Sequence, residues 1–526
     1  MANFVTILDA AADLPPGQVT IVTVNGRDIC LANYDGDFYA LDNSCPHRGG
    51  QLGDGKLSGP DVICPLHQWD FDVRTGISRY DPRDRVTTYP VRQHNGQVEI
   101  DADAVQPIPT VDGYLKRWER HADADIEPAI KTIHKLAKGT WKENEPLRTT
   151  RAVPDFDDLY FLPGQLADPP LLDDETVSTE VVIGPQAARP IRLSLPVYIS
   201  HMSFGALSKE AKIALAQGAA QVGTMNCSGE GGTLPEEQAA AKYYVFEMAS
   251  GYFGWNEENI RKADAIEIKM GQSAKTGLGG VLPGAKVTAE IAQVRGLEQG
   301  QDAISPSRFP DIATPAQMRE RIDWIRSVNP GIPVGIKFAA SKLEADLAAA
   351  CELDVDFITI DGRPGGTGAA PVHVKDHIGI PTVYALPRAR RWLDSHGMGH
   401  VTLCVTGGFR TPPDIAKALA LGADAVAIAT SAMMAIGCQQ YRACSSNNCP
   451  VGIATQRADL RERFEIAQSS KRLVNFLEGT RHQLIDFARM CGRRSLAELA
   501  WRDLVTYNDD LAKHTGIRHA AEAYSA

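Results

Sequence analysis

Apolar and polar positions follow two different rhythms along this chain. Over residues 1 to about 105, short β-rich runs alternate with turn pairs. Val19-Thr20-Ile21-Val22-Thr23-Val24, Asp37-Phe38-Tyr39-Ala40-Leu41 and Val98-Glu99-Ile100 are strand candidates, with Asn25-Gly26, Asp35-Gly36 and Asn95-Gly96 as the turns. Such pairs accept the positive φ that a tight hairpin needs, so this stretch predicts a small all-β domain. From about Pro196, apolar strands alternate with helices. The strand candidates are Pro196–Ser200, Ala265–Lys269, Val334–Phe338, Phe357–Asp361, Val401–Val405 and Val426–Ile428, separated in places by helical stretches such as Lys209–Gln221 and Pro413–Leu421. Strands buried on both faces read as unbroken apolar runs, and this many strand–helix units predicts an α/β architecture closed as a (β/α)8 barrel more readily than an open sheet. Residues 106–185, rich in Pro, Asp and Leu with one helix expected near Asp125–Ala137, read as a connector packed on the second domain. The expected division is 1–105, 106–185, 186–465 for the barrel and 466–526 for a C-terminal helical segment.

Charge and composition narrow the function. The 526 residues carry a net charge of −11 and no lysine-rich run, which argues against nucleic acid or an anionic membrane surface as partner. The amino terminus lacks a basic start followed by a long apolar run, and no apolar span is long enough to cross a bilayer, so a soluble cytoplasmic protein without membrane insertion is expected. Ten cysteines are too thinly spread for a disulfide framework, and a reducing compartment would leave thiolates free for metal.

Two groups of cysteines have metal-ligand spacing. In the β-rich domain, Cys45-Pro46-His47 and Cys64-Pro65-Leu66-His67 each offer one thiolate and one imidazole, a set able to hold a two-iron cluster with sulfur on one iron and nitrogen on the other. A Cys2His2 zinc knuckle is the alternative. Further on, Cys438, Cys444 and Cys449 lie C-x5-C-x4-C on one loop beyond the run Ala425–Ala429. Three convergent thiolates suit a three-iron cluster. Ordinary packed thiols are the other reading, and zinc would need a fourth ligand.

The barrel loops carry further candidates. Gly407-Gly408 and Ala429-Thr430 follow the last two strands, where barrels bind phosphate through backbone N–H groups. Lys337, near a strand end, offers a cation for a reduced flavin or a partner for a structural carboxylate. Gly365-Gly366-Thr367-Gly368 would let a ring lie against the backbone, if it is not a plain surface loop.

With these pieces in place, the first domain resembles the Rieske ferredoxin family through its Cys-His pairs and Gln68–Asp72. The chain from about 150 onward resembles the FMN-binding synthase domain of glutamate synthases. The second resemblance rests on Met202–Ser208, Ser228-Gly229-Glu230-Gly231-Gly232, Lys269–Lys275, Leu282-Pro283-Gly284, the Gly365–Gly368 loop and the three-cysteine loop. It implies FMN in the barrel, a [3Fe-4S] cluster on the cysteine loop beside the Rieske [2Fe-2S] centre, and Gln272, Lys275 and Arg295 as the residues that hold a dicarboxylate substrate. Lys and Arg pair with carboxylates, Gln orients a carbonyl or imine, and Glu230 can act as acid or base, so Glu230 and Lys275 are the catalytic candidates.

The family pattern is broken at three places. Leu278 and Val281 stand where glutamate synthases usually have polar residues, and Ser307–Pro310 replaces a histidine-containing segment. The glutaminase domain is replaced by the Rieske-like one, so nitrogen would come from free ammonia, an amine or a separate ammonia-supplying subunit. The leading expectation is an FMN and iron–sulfur oxidoreductase, served by ferredoxin or another redox partner, that forms an amino acid from a 2-oxo acid through an imine. Oxidation of an amine or N-alkyl amino acid, with electrons leaving through the Rieske centre, is the enzymatic alternative. An electron carrier without turnover is the non-enzymatic one.

Overall fold

The computed structural model describes residues 3–47, 49–106, 130–137, 139, 144–149 and 151–523. The chain divides into two compact units, Met1–Lys142 and Glu143–Ala526.

Among its described residues, the first unit has ten short strands in three antiparallel sheets. Strands β1 (Phe4–Leu8), β10 (Gln97–Asp101) and β9 (Val91–His94) form one sheet, and β2 (Val19–Val24), β3 (Arg27–Tyr34), β4 (Asp37–Asp42) and β8 (Thr88–Tyr89) form the second. The third is β5 (Lys56–Ser58), β6 (Asp61–Ile63) and β7 (Asp70–Asp72). All three turn pairs expected from sequence take positive φ at both residues, for example Asn25 at 50° and Gly26 at 74°. Their tightness fixes the register of β2 on β3 and of β3 on β4, which buries Ile29, Leu31 and Ala40 against Val98 and Ile100. Of the helix expected near Asp125–Ala137, Ile130–Ala137 is helical and the earlier part lies outside the described residues.

In the second unit, strand β11 (Asn144–Leu147) precedes a closed parallel barrel. Its wall is β12 (Val197–Ile199), β13 (Met225–Cys227), β14 (Tyr243–Met248), β15 (Ala265–Lys269), β16 (Val334–Ala339), β17 (Phe357–Asp361), β19 (Thr402–Thr406) and β20 (Ala425–Ile428). Strand β18 (Thr367–Pro371) leaves the wall and pairs with β11 instead. Six wall strands coincide with apolar runs. The remaining two, β13 and β14, are not among the runs read from sequence; β13 is three residues with a polar centre, and β14 carries Glu247, an interruption that β15 shares at Glu267.

The register sets charges side by side. Glu247 of β14 pairs with Glu267 of β15, and Lys269 of β15 pairs with Lys337 of β16, which in turn pairs with Thr359 of β17. Barrel interiors are normally filled by branched apolar side chains. Here one end of the interior is ionic. Outside, the helix Ile466–Met490 packs on the helix Lys209–Val222, where a Cβ at Gly218 would come within 2.7 Å of Leu473. Among the described residues, no helix is long and apolar enough to cross a membrane.

Candidate active site

In the first unit, the two Cys-His loops are built alike. The N–H of Cys45 donates to Gly50 O (2.8 Å) and that of Gly49 to Cys45 O (2.7 Å), while Cys64 N–H donates to Trp69 O (2.7 Å) and Gln68 N–H to Cys64 O (3.0 Å). Each loop is therefore closed by the same pair of backbone bonds. The rings of His47 and His67 lie 4.6 Å apart, edge to face, and Trp69 stacks on His47 at 4.6 Å. Both thiols are buried, and the hydrogen bond from Cys45 pushes Cys64 down to about 6 against the effect of burial, helped by the N–H groups of Leu66 and His67. Two thiols on one side and two imidazoles on the other form a donor set that fits a Rieske cluster.

In the second unit, a cavity of about 1120 Å³, counting the open space at its mouth, occupies the C-terminal end of the barrel. Gln272, Lys275, Arg295 and Glu230 all line it. Arg295 ends the helix Ala289–Arg295 and is only 4 % exposed. Its Nη2 donates to Phe204 O (2.7 Å) and Ser203 Oγ (3.3 Å), its Nε is buried without a hydrogen-bond partner, and the ring of Phe253 lies 5.0 Å from its Cζ. Burial lowers Arg295 to about 10, with Glu230 opposing. Burial likewise lowers Lys275 to about 8, with Glu230 opposing and Lys269 assisting. Two buried cations facing a cavity, one with an unused donor, fit an anionic ligand.

Glu230 sits between this cavity and a smaller one of about 460 Å³. Ser305 Oγ donates to its Oε1 at 2.6 Å and Lys269 pairs with its Oε2. Although burial opposes it, Lys269, Ser305 and Lys275 hold the carboxyl down at about 2, which favours its ionised form.

Behind Glu230 lies a group that sequence reasoning did not single out. Lys269 Nζ is 3.5 Å from Glu247 Oε1, Glu247 Oε2 is 3.6 Å from His201 Nε2, and His201 Nε2 is 2.6 Å from Glu267 Oε2. Thr359 donates to Glu267, and His201 Nδ1 is 3.5 Å from Lys337 Nζ. Lys337 thus stands behind His201 and does not itself line the cavity. The signal available in sequence was a carboxylate inside an apolar strand, Phe246-Glu247-Met248 and Ile266-Glu267-Ile268, since an isolated charge there is too costly to keep.

The glycine loops divide. Gly366, Thr367, Ala429 and Thr430 line the cavity. A Cβ on Gly366 would meet the backbone of Leu147 and Arg148 at 2.7 Å, because β11 lies across this loop. Gly365 packs against Ser273 and Asp361, and Gly407 (φ 112°) packs so closely on Gly362 O that a Cβ would lie 2.1 Å away. Gly407 and Gly408 are thus in the wall of the loop cluster rather than on the cavity surface.

The three-cysteine loop closes the far side. Cys444 and Ser445 line the cavity, and Gln440 donates to Cys438 Sγ through both its N–H (3.4 Å) and Nε2 (3.3 Å). Burial pushes Cys444 up to about 12, and charge on Cys449 and Cys438 works in the same direction, so the three sulfurs are close enough to repel once ionised. A cation bound among them would relieve that repulsion, which fits an iron cluster. Lys286, also missed in sequence, is buried between loop and cavity, where its Nζ donates to the carbonyls of Ala206, Cys444 and Ala454, each at 3.2 Å.

A (β/α)8 barrel whose mouth gathers cations, glycine loops and a cysteine cluster, preceded by an all-β unit with a Cys-His donor set, defines a redox enzyme with an appended electron-transfer domain. The comparisons make the class specific. Residues 163–494 match the family described as the conserved region in glutamate synthase, and residues 4–90 match the Rieske [2Fe-2S] domain. A glutamate synthase large subunit-like protein of Rhizobium meliloti is 37% identical over 382 residues, 68% of this chain and 85% of that protein. An archaeal glutamate synthase [NADPH] of Methanocaldococcus jannaschii is 38% identical over 342 residues, 63% and 66% of the two chains, and an archaeal-type glutamate synthase [NADPH] of Thermotoga maritima is 36% identical over 359, 67% and 70%. Among solved structures, a mandelate oxidase with (S)-4-hydroxymandelic acid aligns at TM-score 0.45 and 17% identity over 66% of this chain and 87% of that one, too distant to bear on chemistry. The chain belongs to the glutamate synthase family and carries a Rieske domain at its amino-terminal end.

Proposed function

We propose that the protein is an FMN and iron–sulfur oxidoreductase that forms glutamate or a related amino acid from a 2-oxo acid. FMN would lie in the barrel mouth against Gly365, Gly366 and Thr367, with Lys337 behind it and the 407–408 and 429–430 loops near its phosphate. A [3Fe-4S] cluster would be held by Cys438, Cys444 and Cys449, and the Rieske [2Fe-2S] cluster by Cys45, His47, Cys64 and His67. FMN, when bound, exchanges single electrons with such clusters and transfers a hydride to carbon. The observation that carries the reading is the pair Lys275 and Arg295, buried cations of lowered pKa that face one cavity reaching the cysteine loop.

In this reading Lys275 and Arg295 take the two carboxylates and Gln272 orients the carbonyl or imine. Glu230, held ionised, faces the nitrogen and stabilises the positive charge it acquires, a role more consistent with its low pKa than proton donation. Electrons arrive from ferredoxin or another redox protein, nitrogen from free ammonia or a separate subunit, and the compartment is the cytoplasm. The test is anaerobic: purified protein with reduced ferredoxin, 2-oxoglutarate and ammonium should make glutamate. A reducible flavin without glutamate sinks the substrate assignment, and a colourless protein carrying zinc sinks the cofactors.

One observation favours the reverse direction. Met270, Leu278 and Val281 are 44, 47 and 48% exposed at the two cavities, an apolar rim suited to an N-alkyl substituent. If the enzyme oxidises such amines and passes electrons out through the Rieske centre, anaerobic mixing with an amine panel bleaches the oxidised flavin. No bleaching with any member removes this reading.

A further inference from the structure

The smaller cavity beside Glu230 is not used when glutamate is made from free ammonia. It shares Glu230, Lys269, Gln272 and Gly280 with the barrel mouth, whereas Lys275 and Arg295 line only the mouth. The partition between the two spaces is as thin as a backbone allows. Ser305 N–H donates to Gly280 O at 2.8 Å, and a Cβ on Gly279 would lie 1.6 Å from Ser305 O, one on Gly280 2.0 Å from Glu230 Oε1. A side chain at either position would displace Glu230 or part the two segments. Beyond the carboxylate the cavity surface is largely apolar, with Ala249, Met270, Leu278 and Phe309 in its wall. The hydroxyls of Ser250 and Ser305 also line it, but their protons are committed to Pro306 O and to Glu230 Oε1, both at 2.6 Å. Ser307 and Arg308 are exposed.

A pocket with a carboxylate at its inner end and apolar sides fits a cationic nitrogen that carries a hydrocarbon group. Ammonia needs almost none of the space, about 460 Å³ with its open mouth against about 30 Å³ for a molecule the size of water. We propose that the smaller cavity is the subsite of the nitrogen donor and that this donor is a primary alkylamine, its nitrogen at Glu230 and Gln272 and its alkyl group between Met270, Leu278 and Phe309. The inference rests on the reading of the mouth as the site of the 2-oxo acid. With the acid on Lys275 and Arg295, the two substrates meet across the shared wall. The amine nitrogen bonds to the keto carbon, and the keto oxygen leaves as water with two of the three ammonium protons. Two electrons from the redox partner and one proton then reduce the carbon of the resulting iminium ion. A second proton goes to the nitrogen, and the product is an N-alkyl amino acid.

The competing use of the space is an entrance through which ammonia reaches the mouth, and the test separates the two. Full-length protein, kept anaerobic with reduced ferredoxin and 2-oxoglutarate, is given ammonium, methylamine, ethylamine or propylamine, and the products are identified by mass spectrometry. The three alkylamines have nearly the same basicity, so differences among them report on the alkyl group. Each buried CH₂ should raise kcat/KM for N-alkylglutamate about fourfold, and propylamine should exceed methylamine by about fifteenfold. Leu278→Trp fills the cavity and should level the series, and Leu278→Asn, polar but similar in size, should flatten it in part. Each slope is a ratio between amines within one variant, so a smaller yield of folded protein does not alter it. Glutamate from ammonium without any N-alkylglutamate, or a flat wild-type series, overturns the inference. A slope that survives in both variants overturns the placement, and equal slowing of all four donors by Leu278→Trp identifies an entrance instead. No product from any donor overturns the amino-acid-forming reading itself, and the inference with it.

Discussion

Dicarboxylate binding should be coupled to proton uptake through Lys275. In the free protein burial brings this lysine from 10.5 to about 8, a gap equivalent to about 3 kcal/mol of disfavoured charge. A carboxylate against Nζ restores the charged form, so the bound-state value returns toward the ordinary one. At pH 9 the free side chain is then about one-tenth charged and the complex almost fully charged, which predicts uptake of about 0.9 proton, against about 0.1 at pH 7. The sign follows: affinity is fully expressed below pH 8 and weakens about tenfold for each pH unit above it. Arg295, at about 10, is still mostly charged at pH 9 and adds little. The assay is calorimetric titration with the unreactive dicarboxylate glutarate at pH 7 and pH 9, in buffers of contrasting ionisation enthalpy. Lys286, also lowered to about 8, lines the same cavity with its Nζ bonded to backbone carbonyls, and Lys275→Met distinguishes the two. Buffer-independent heats at pH 9, or uptake that persists in Lys275→Met, would refute the reasoning.

Val281→Gln places an amide at the cavity rim, and the ratio of kcat/KM for 2-oxoglutarate over an apolar 2-oxo acid should rise by up to about tenfold, in line with about 0.5–1.5 kcal/mol for one added hydrogen bond. On the proposed ligand sets, Cys444→Ser should abolish the electron-paramagnetic signal of an oxidised three-iron cluster while leaving unchanged a reduced Rieske signal from Cys45, His47, Cys64 and His67, because the two sets belong to separate units. Glu145→Gln removes the carboxylate that pairs with buried Lys375 at 2.5 Å and with Arg442 of the cysteine loop at 2.9 Å, and should cost about 2–3 kcal/mol in thermal unfolding near neutral pH. Glu145 lies below its ordinary pKa because those cations outweigh burial, so its contribution is present above the unfolded carboxylate range and fades on acidification. The difference between wild type and Glu145→Gln should therefore shrink at low pH, and a constant difference would show that the ion pairs are not its source.

What could be read from sequence follows the range over which the physics acts. The hairpin pairs of the first unit and the Cys-His and three-cysteine loops are local: a few adjacent residues fix both conformation and donor type, and their spacing alone points to the chemistry. Barrel strands were legible where apolar residues recur through the run even around one polar side chain, as at Phe357–Asp361 and Ala265–Lys269, and lost where the strand is only three residues long with a polar centre, as at Met225–Cys227. Glu247, Glu267 and His201 are far apart in the chain, and only parallel register brings Glu247 beside Glu267. The same register explains Lys337, which reads as a cation facing the mouth but stands behind His201. Segment 144–149 was invisible for a related reason, since an extended strand paired with Thr367–Pro371 has no apolar periodicity of its own. The positions that defeated a pattern-based reading are thus charges placed where an apolar side chain would be more stable. A fold keeps them there only if their mutual compensation is nearly complete, as it is where Lys269, Lys275 and Lys337 face Glu230, Glu247 and Glu267.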